Sequence, residues 1–296
     1  MAVDPPGPTV APTVAEALRA ARDELARAAL PTARPDAEAL LARVLGTTRL
    51  GLYTTGRARV PDPARAAFET LVARRARHEP LQYLLGEVEF CGLLLALGPG
   101  VFIPRPETEG LVDRALALPL AGAAVVVDLC SGSGAIACAL AARRPGWTVW
   151  AVEQTRPAAE CARANVRRLG LEGRVQVRQG DLFGPLREAV AANGADLVVA
   201  NPPYLATPLL ATLPVEVRDW EPPTALAGGP DGLDVVRRLI ADAPAWLRPG
   251  GGLLVEIGEE QGPAALALVA GDSGYAEARV HRDFRGCDRV LEARRR

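Results

Sequence analysis

Residues 198–206 read VVANPPYLA, and four of them have the types and spacing for one particular chemistry: Asn201, Pro202, Pro203 and Tyr204. An amide or arylamine NH2 is a poor nucleophile because its lone pair is delocalised. A site can help without a strong base. The Asn201 side-chain oxygen and the Pro202 carbonyl accept one N–H each, which leaves the lone pair aimed in one direction. Tyr204 offers a ring on which a planar group stacks. Two prolines fix the backbone, so the geometry exists before a substrate arrives.

A second stretch, VVVDLCSGSGAIACALA (125–141), runs from an apolar strand into a glycine-rich turn that opens a helix. Gly132 and Gly134 let backbone approach a ligand, and the helix N-terminus favours polar or anionic groups. Glu153 follows about 20 residues on, at the end of the next strand, where a carboxylate accepts from both ribose hydroxyls. The run from Gly132 to Ala137 fits a G-x-G-x-x-A dinucleotide fingerprint, so spacing alone leaves NAD open. Asp128, then three residues, then Gly-x-Gly resembles motif I of S-adenosylmethionine (SAM) methyltransferases. QGDLF (179–183) follows the third strand, placing Asp181 for the adenine amino group and Leu182 over the ring. With SAM in place, the lone pair prepared beside Asn201 points at a methyl group on a sulfonium.

These residues need strand ends to hold them, and the chain supplies them. From about residue 110, apolar strand runs at 123–129, 148–152, 175–179, 195–200 and 252–258 alternate with helical patterns at 134–144, 157–170 and 234–247. The alternation predicts a mostly parallel, doubly wound α/β sheet. Segments 277–283 and 288–295 read as one or two last strands. Before this, Thr13 to Glu16 has the spacing of a capping box. Helices are expected from there, from 35 to 46, and from Asp62, with Asp62 as N-cap and Pro63 at the first helical position. Gly and Pro punctuate 83–106, which reads as a hairpin and linker. The expected division is a helical domain over 1–80, a hairpin and linker over 81–108, and a catalytic domain over 109–296.

The 296 residues are 49% hydrophobic and 23% charged, enough for about two globular domains, and the net charge is −1. This does not look like a chain built to grip duplex phosphates. Every basic residue apart from His78 and His281 is Arg. Five cysteines without a CxxC pair fit a reducing cytosol. Two histidines give a zinc site or a His-based triad little to work with, and no metal is expected. The Pro-rich start lacks a signal-peptide pattern, and the apolar runs are strand-sized, so a soluble cytoplasmic protein without membrane contact is expected.

With these motifs in hand, the chain resembles the release factor glutamine methyltransferase family (PrmC/HemK) over roughly 13–296. NPPY alone is shared with amino-methylating DNA and RNA enzymes. EPLQYLLGEVEF (79–90), IPRPET (103–108), GGPDGL (228–233) and DFRGCDRVLEA (283–293) make the resemblance more specific. It implies a small N-terminal helical domain that docks substrate and a Rossmann-like, seven-stranded SAM methyltransferase domain. It implies methylation of the side-chain amide of the GGQ glutamine in class I peptide chain release factors, with no direct nucleic-acid substrate. By position, Cys130, Ser131, Gly132, Ser133, Gly134, Glu153, Asp181, Leu182 and Asn201 contact SAM, and Asn201 to Tyr204 contact the glutamine. Two positions depart from the family pattern: Cys130 stands where Gly is usual, and Glu153 where Asp is common. Arg105 and Glu107 admit two readings, closure over the cofactor or a structural ion pair. The alternatives are a nucleic-acid amino-methyltransferase, a ribosomal-protein glutamine methyltransferase and a non-catalytic SAM-binding protein.

Overall fold

The computed structural model describes residues 11–296, so most of the Pro-rich start lies outside the described residues. The chain divides into two units, one ending at Gly86 and one running Glu87–Arg296. In the first, the expected capping box is present: Glu16 N–H donates to Thr13 Oγ1 at 3.3 Å, and Thr13 N–H to Glu16 Oε2 at 2.7 Å. It opens α1 (Val14–Arg27), followed by α2 (Ala33–Leu45), α3 (Arg49–Thr54), α4 (Asp62–Arg75) and α5 (Leu81–Leu85). Helix α4 is capped by Pro61, so Asp62 sits inside the helix rather than at its cap. Val14, Ala17, Ala21 and Leu25 recur on one face of α1 and bury it against Leu40, Leu41, Leu52 and Phe68.

The second unit begins with a hairpin, β1 (Glu87–Phe90) and β2 (Leu93–Ala96), then α6 (Pro106–Ala117). The hairpin does not behave as a linker, because Phe90 and Leu95 enter the core beneath the sheet. The division therefore falls at 86/87 rather than at 80 and 108. The segment IPRPET runs into a helix: Ile103, Pro104 and Arg105 precede α6, and Pro106 stands at its start, where its missing N–H has no helical partner to lose.

The remaining elements are β3 (Val125–Leu129), α7 (Ala135–Arg143), β4 (Thr148–Glu153), α8 (Arg156–Arg168), β5 (Val175–Gln179), β6 (Ala195–Ala200), α9 (Val215–Arg218), α10 (Asp234–Asp242), β7 (Leu247–Glu256), α11 (Gly262–Ala270), β8 (Tyr275–Arg282) and β9 (Asp288–Arg295). They build a seven-stranded sheet in the order β5-β4-β3-β6-β7-β9-β8. The first five strands run parallel; β9 is antiparallel to both neighbours. Both faces of the sheet are buried. Val126, Leu197 and Val199 face one core, with α6, α7 and α8. Val127, Leu129 and Val198 face the other, with α10 and α11. Strands buried on both sides read as unbroken apolar runs, as VVVDL and ADLVVA do.

Sheet order reverses between β3 and β6. The connection after β3 leads outward to β4, whereas β6 leads the other way to β7. Such a switch point opens a crevice at the carboxyl ends of the strands. Leu129 lies beside Val152 on one side and Ala200 on the other, so the residues following these three strands emerge at one level.

Candidate active site

The turn after β3 is left-handed three times: φ is 57° at Cys130, 54° at Gly132 and 77° at Gly134. Glycine takes this region freely, whereas a residue with a Cβ is strained there. Cys130 therefore holds its Cβ in a conformation that a glycine would take without strain. Burial keeps its thiol well above the usual range, so it stays protonated. Ser131 N–H donates to Val152 O at 3.0 Å, and Gly134 N–H to Ser131 O at 2.7 Å. Asp128 holds the start of α7 by accepting the Ala137 N–H at 3.0 Å. Burial pushes its carboxyl up to about 8, which the Ala137 bond opposes and the Glu153 charge reinforces.

Glu153 grips the same turn. Its Oε2 accepts the Gly132 N–H at 2.9 Å, and its Oε1 accepts from Thr155 N and Oγ1 at 2.7 and 2.9 Å. Asn165 on α8 ties the turn to the hairpin, donating to Ser133 O at 2.9 Å and Ala96 O at 3.0 Å. No motif in the sequence marked Asn165, whose role depends on two loops meeting at a helix.

One cavity at these strand ends brings together Cys130, Ser131, Gly132, Ser133, Glu153, Asp181, Leu182, Asn201, Pro202, Pro203 and Tyr204. Phe102, Pro104 and Thr108, from the IPRPET region, line it too. Gly134 does not. A Cβ there would stand 3.1 Å from Ala162 Cβ, so this glycine serves the close approach of α7 to α8. Asp181 is paired with Arg238 of α10 at the cavity wall. Leu182 adopts φ 43° and is buried.

Three buried oxygens at the turn, Asp128 Oδ1, Ser131 Oγ and Ser133 Oγ, lack a hydrogen-bond partner within the described residues. A buried oxygen normally has one. Both serines line the cavity, so a polar ligand there is fitted to satisfy them. The arrangement of orphaned hydroxyls, a carboxylate at the β4 end and an apolar cover at Leu182 suits a nucleoside carrying a polar amino-acid tail, such as SAM.

The NPPY segment leaves β6 with its backbone clasped from behind. Gln261 Nε2 donates to Tyr204 O at 2.9 Å, while its Oε1 accepts the Gly258 N–H at 2.8 Å. Leu205 N–H donates to Leu226 O at 3.0 Å, and Gly228 N–H returns to Leu205 O at 2.8 Å. A Cβ on Gly228 would stand 2.6 Å from Pro203 O, and one on Gly232 2.2 Å from Tyr204 O. Gly228 and Gly232, two of the three glycines of GGPDGL, are therefore what allows that loop to lie against NPPY. Asn201 Nδ2 donates to Thr108 Oγ1 at 3.1 Å. Burial raises the Tyr204 phenol to about 12, so it stays neutral. Arg105 pairs with Glu221, whose other oxygen accepts the Ile103 N–H at 3.2 Å; this supports the ion-pair reading of Arg105.

Among the described residues no helix is long and apolar enough to cross a membrane. Residues 16–86 match the PrmC N-terminal domain family, and residues 110–211 the methyltransferase small domain family. Among solved structures, the hMettl16 catalytic domain, in complex with MAT2A 3'UTR hairpin 6, superposes with a TM-score of 0.57 and 21% identity, covering 75% of this chain and 81% of that one. A methyltransferase from Pyrococcus furiosus gives a TM-score of 0.50 at 18% identity, covering 69% and 89%. At such identities these two likenesses establish the fold alone. A release factor glutamine methyltransferase of Geobacter sulfurreducens is 42% identical, covering 95% of this chain and 96% of that relative. One of Mycolicibacterium smegmatis is 44% identical, covering 94% and 96%. Similarity of this extent runs through both units and the cavity between the strand ends, and the chain belongs to the release factor glutamine methyltransferase family of SAM-dependent methyltransferases.

Proposed function

We propose that this chain transfers a methyl group from SAM to the side-chain amide nitrogen of the GGQ glutamine of class I peptide chain release factors, in the cytoplasm. The observation that carries the reading is the state of Asn201. Its nitrogen is engaged by Thr108, which leaves its oxygen as an acceptor at the cavity. An incoming carboxamide NH2 has two hydrogens; Asn201 Oδ1 takes one and the Pro202 carbonyl the other. Tyr204 stacks on the planar amide. When bound, SAM supplies an electrophilic methyl group on its sulfonium.

Ser131, Ser133 and the turn backbone hold the polar tail of the cofactor, Glu153 the ribose, and Asp181 and Leu182 the adenine. None of these groups has to act as a strong base. Their contribution is orientation and fixed polarity. The first unit, which carries the family's N-terminal domain, supplies a docking surface for the protein substrate. Mass spectrometry of release factors from cells with and without this protein tests the reading. Loss of 14 mass units (about one CH2) from the GGQ peptide in the deleted strain is expected. An unchanged peptide, with methylation lost from RNA or DNA instead, contradicts it.

A further inference from the structure

Asn201 and Thr108 meet from positions 93 residues apart in sequence. Thr108 is 3% exposed and lies in the first turn of α6. A hydroxyl has one hydrogen to donate and two lone pairs to accept with. Asn201 Nδ2 uses one lone pair. The Glu256 carboxyl is buried beside this hydroxyl, which favours its charged form. Glu256 ends β7, and Ala200 is paired with Val255, so Asn201 and Glu256 leave neighbouring strands side by side. Glu256 is 1% exposed, and its Oε2 has no partner among the described residues.

A carboxylate has no hydrogen to give, so Thr108 donates to it. Having donated, the hydroxyl can only accept from Asn201. An accepting neighbour selects the nitrogen of a carboxamide and rejects its oxygen. We propose that Thr108 and Glu256 are positioning residues for methyl transfer: together they hold the Asn201 carboxamide with its nitrogen toward α6 and its oxygen toward the substrate amide. The proposal rests on the role given to Asn201 above. A carboxamide turned the other way presents a donor to the substrate's own donors.

Titration of Glu256 tests the same arrangement. Burial pushes its carboxyl up to about 7, with Thr108, Arg289 on β9 and Arg105 before α6 opposing, and Glu107 on α6 reinforcing. Tyr204, neutral in this range, also faces it. Once protonated, Glu256 can donate to Thr108, whose hydrogen then turns to Asn201 and selects its oxygen. Turnover therefore falls as pH drops through about 7.

The experiment is methyl transfer to a purified release factor by the full-length chain, with SAM affinity measured separately. Thr108→Val keeps the shape and deletes the hydroxyl. It is expected to lower kcat about 10- to 100-fold, the loss for removing a buried partner of an oriented group, with SAM affinity nearly unchanged. Thr108→Ser restores most of that loss. Glu256→Gln keeps an acceptor for Thr108 and retains most activity above pH 7, but loses the step near 7. If Thr108 only fills space, Val is active and Ser is slow, which overturns the proposal. Wild-type kcat in Thr108→Val beside a slow Asn201→Ala overturns it while leaving the role of Asn201 standing. A fast Asn201→Ala overturns both. Should Thr108→Val fail to fold, the pH profile of Glu256→Gln decides: a step unchanged from wild type overturns the proposal.

Discussion

The N–H of Gly132 lies 2.9 Å from Glu153 Oε2. One carboxylate thus braces the glycine turn while its other oxygen holds Thr155 at the start of α8. A carboxylate has about four acceptor sites, so these three bonds leave about one for a ribose hydroxyl. Glu153→Ala removes the brace and the ribose acceptor together. Charged hydrogen bonds contribute about 1.5–3 kcal/mol each, so SAM affinity should fall at least about tenfold. Calorimetric titration with SAM checks this, with circular dichroism as the folding control. Unchanged affinity in a folded variant removes Glu153 from the cofactor site.

Gly228 and Gly232 should be intolerant of a single methyl group. The intruding Cβ would meet backbone oxygens of Pro203 and Tyr204, which cannot swing aside as a side chain can. Gly232 also has φ 79°. Gly232→Ala is expected to lose most of its methyl transfer and about 1–3 kcal/mol of stability, while SAM still binds. Transfer assays and urea unfolding measure the two effects. A fully active variant means that the clasp behind NPPY is dispensable.

Cys130 gives a contrast in two substitutions. Cys130→Gly relieves the left-handed strain but frees the unfolded chain, two effects of about 1 kcal/mol that nearly cancel. Its melting temperature should barely move, and SAM binding should persist. Cys130→Val puts a β-branched residue at φ 57° and should cost about 1–3 kcal/mol. Equal melting temperatures for the two variants contradict this account of the turn.

Asp128 sets a sign for stability against pH. Its carboxyl is raised to about 8 in the folded chain, above its ordinary unfolded value. Between the two values the folded state holds a proton that the unfolded state has released. Its contribution is complete below about pH 4 and is lost as pH rises toward 8. Asp128→Asn, which keeps an acceptor for the Ala137 N–H, should gain on the wild type as pH rises through this window. Urea midpoints at pH 5 and pH 8 test it; a constant difference between the two proteins rules it out.

Much of the cavity lining was legible in the sequence because strands buried on both faces betray themselves as apolar runs, and the residues that follow them line the crevice. Asn201 after ADLVVA and Cys130 after VVVDL needed only that rule. Helix α6 was not legible as a helix, since Pro104 and Pro106 read as linker punctuation although Pro106 starts the helix. Helix α11 was missed because Gly262 and Pro263 precede a stretch so uniformly apolar that it has no polar face to give a period. Thr108, Asn165 and Gln261 were beyond reach for another reason. Their partners lie 93, 32 and 57 residues away, and only the fold brings them together.

Asn201 itself carries two bonds of opposite kind in this account: it donates to Thr108 and accepts from substrate. Asn201→Ala should lower single-turnover methyl transfer roughly 10²–10³-fold at saturating SAM, by analogy with loss of one oxyanion-hole donor. Asn201→Asp keeps an acceptor but has no hydrogen for Thr108 Oγ1, and it sets a second charge beside buried Glu256. It should fall about as far as Ala. An active Asp variant shows that the donor side of Asn201 does not matter.

Methylation of the glutamine amide is measured by transfer of labelled methyl from SAM to a purified release factor, run beside the same factor with its GGQ glutamine replaced by glutamate. Glutamate keeps the shape of the side chain and removes the NH2 that Asn201 and Pro202 are arranged to hold. Label on the wild-type factor, located by mass spectrometry to the glutamine side chain, and none on the replaced one is the predicted result. Equal labelling of both factors, or label that appears only on added RNA or DNA, would contradict the account.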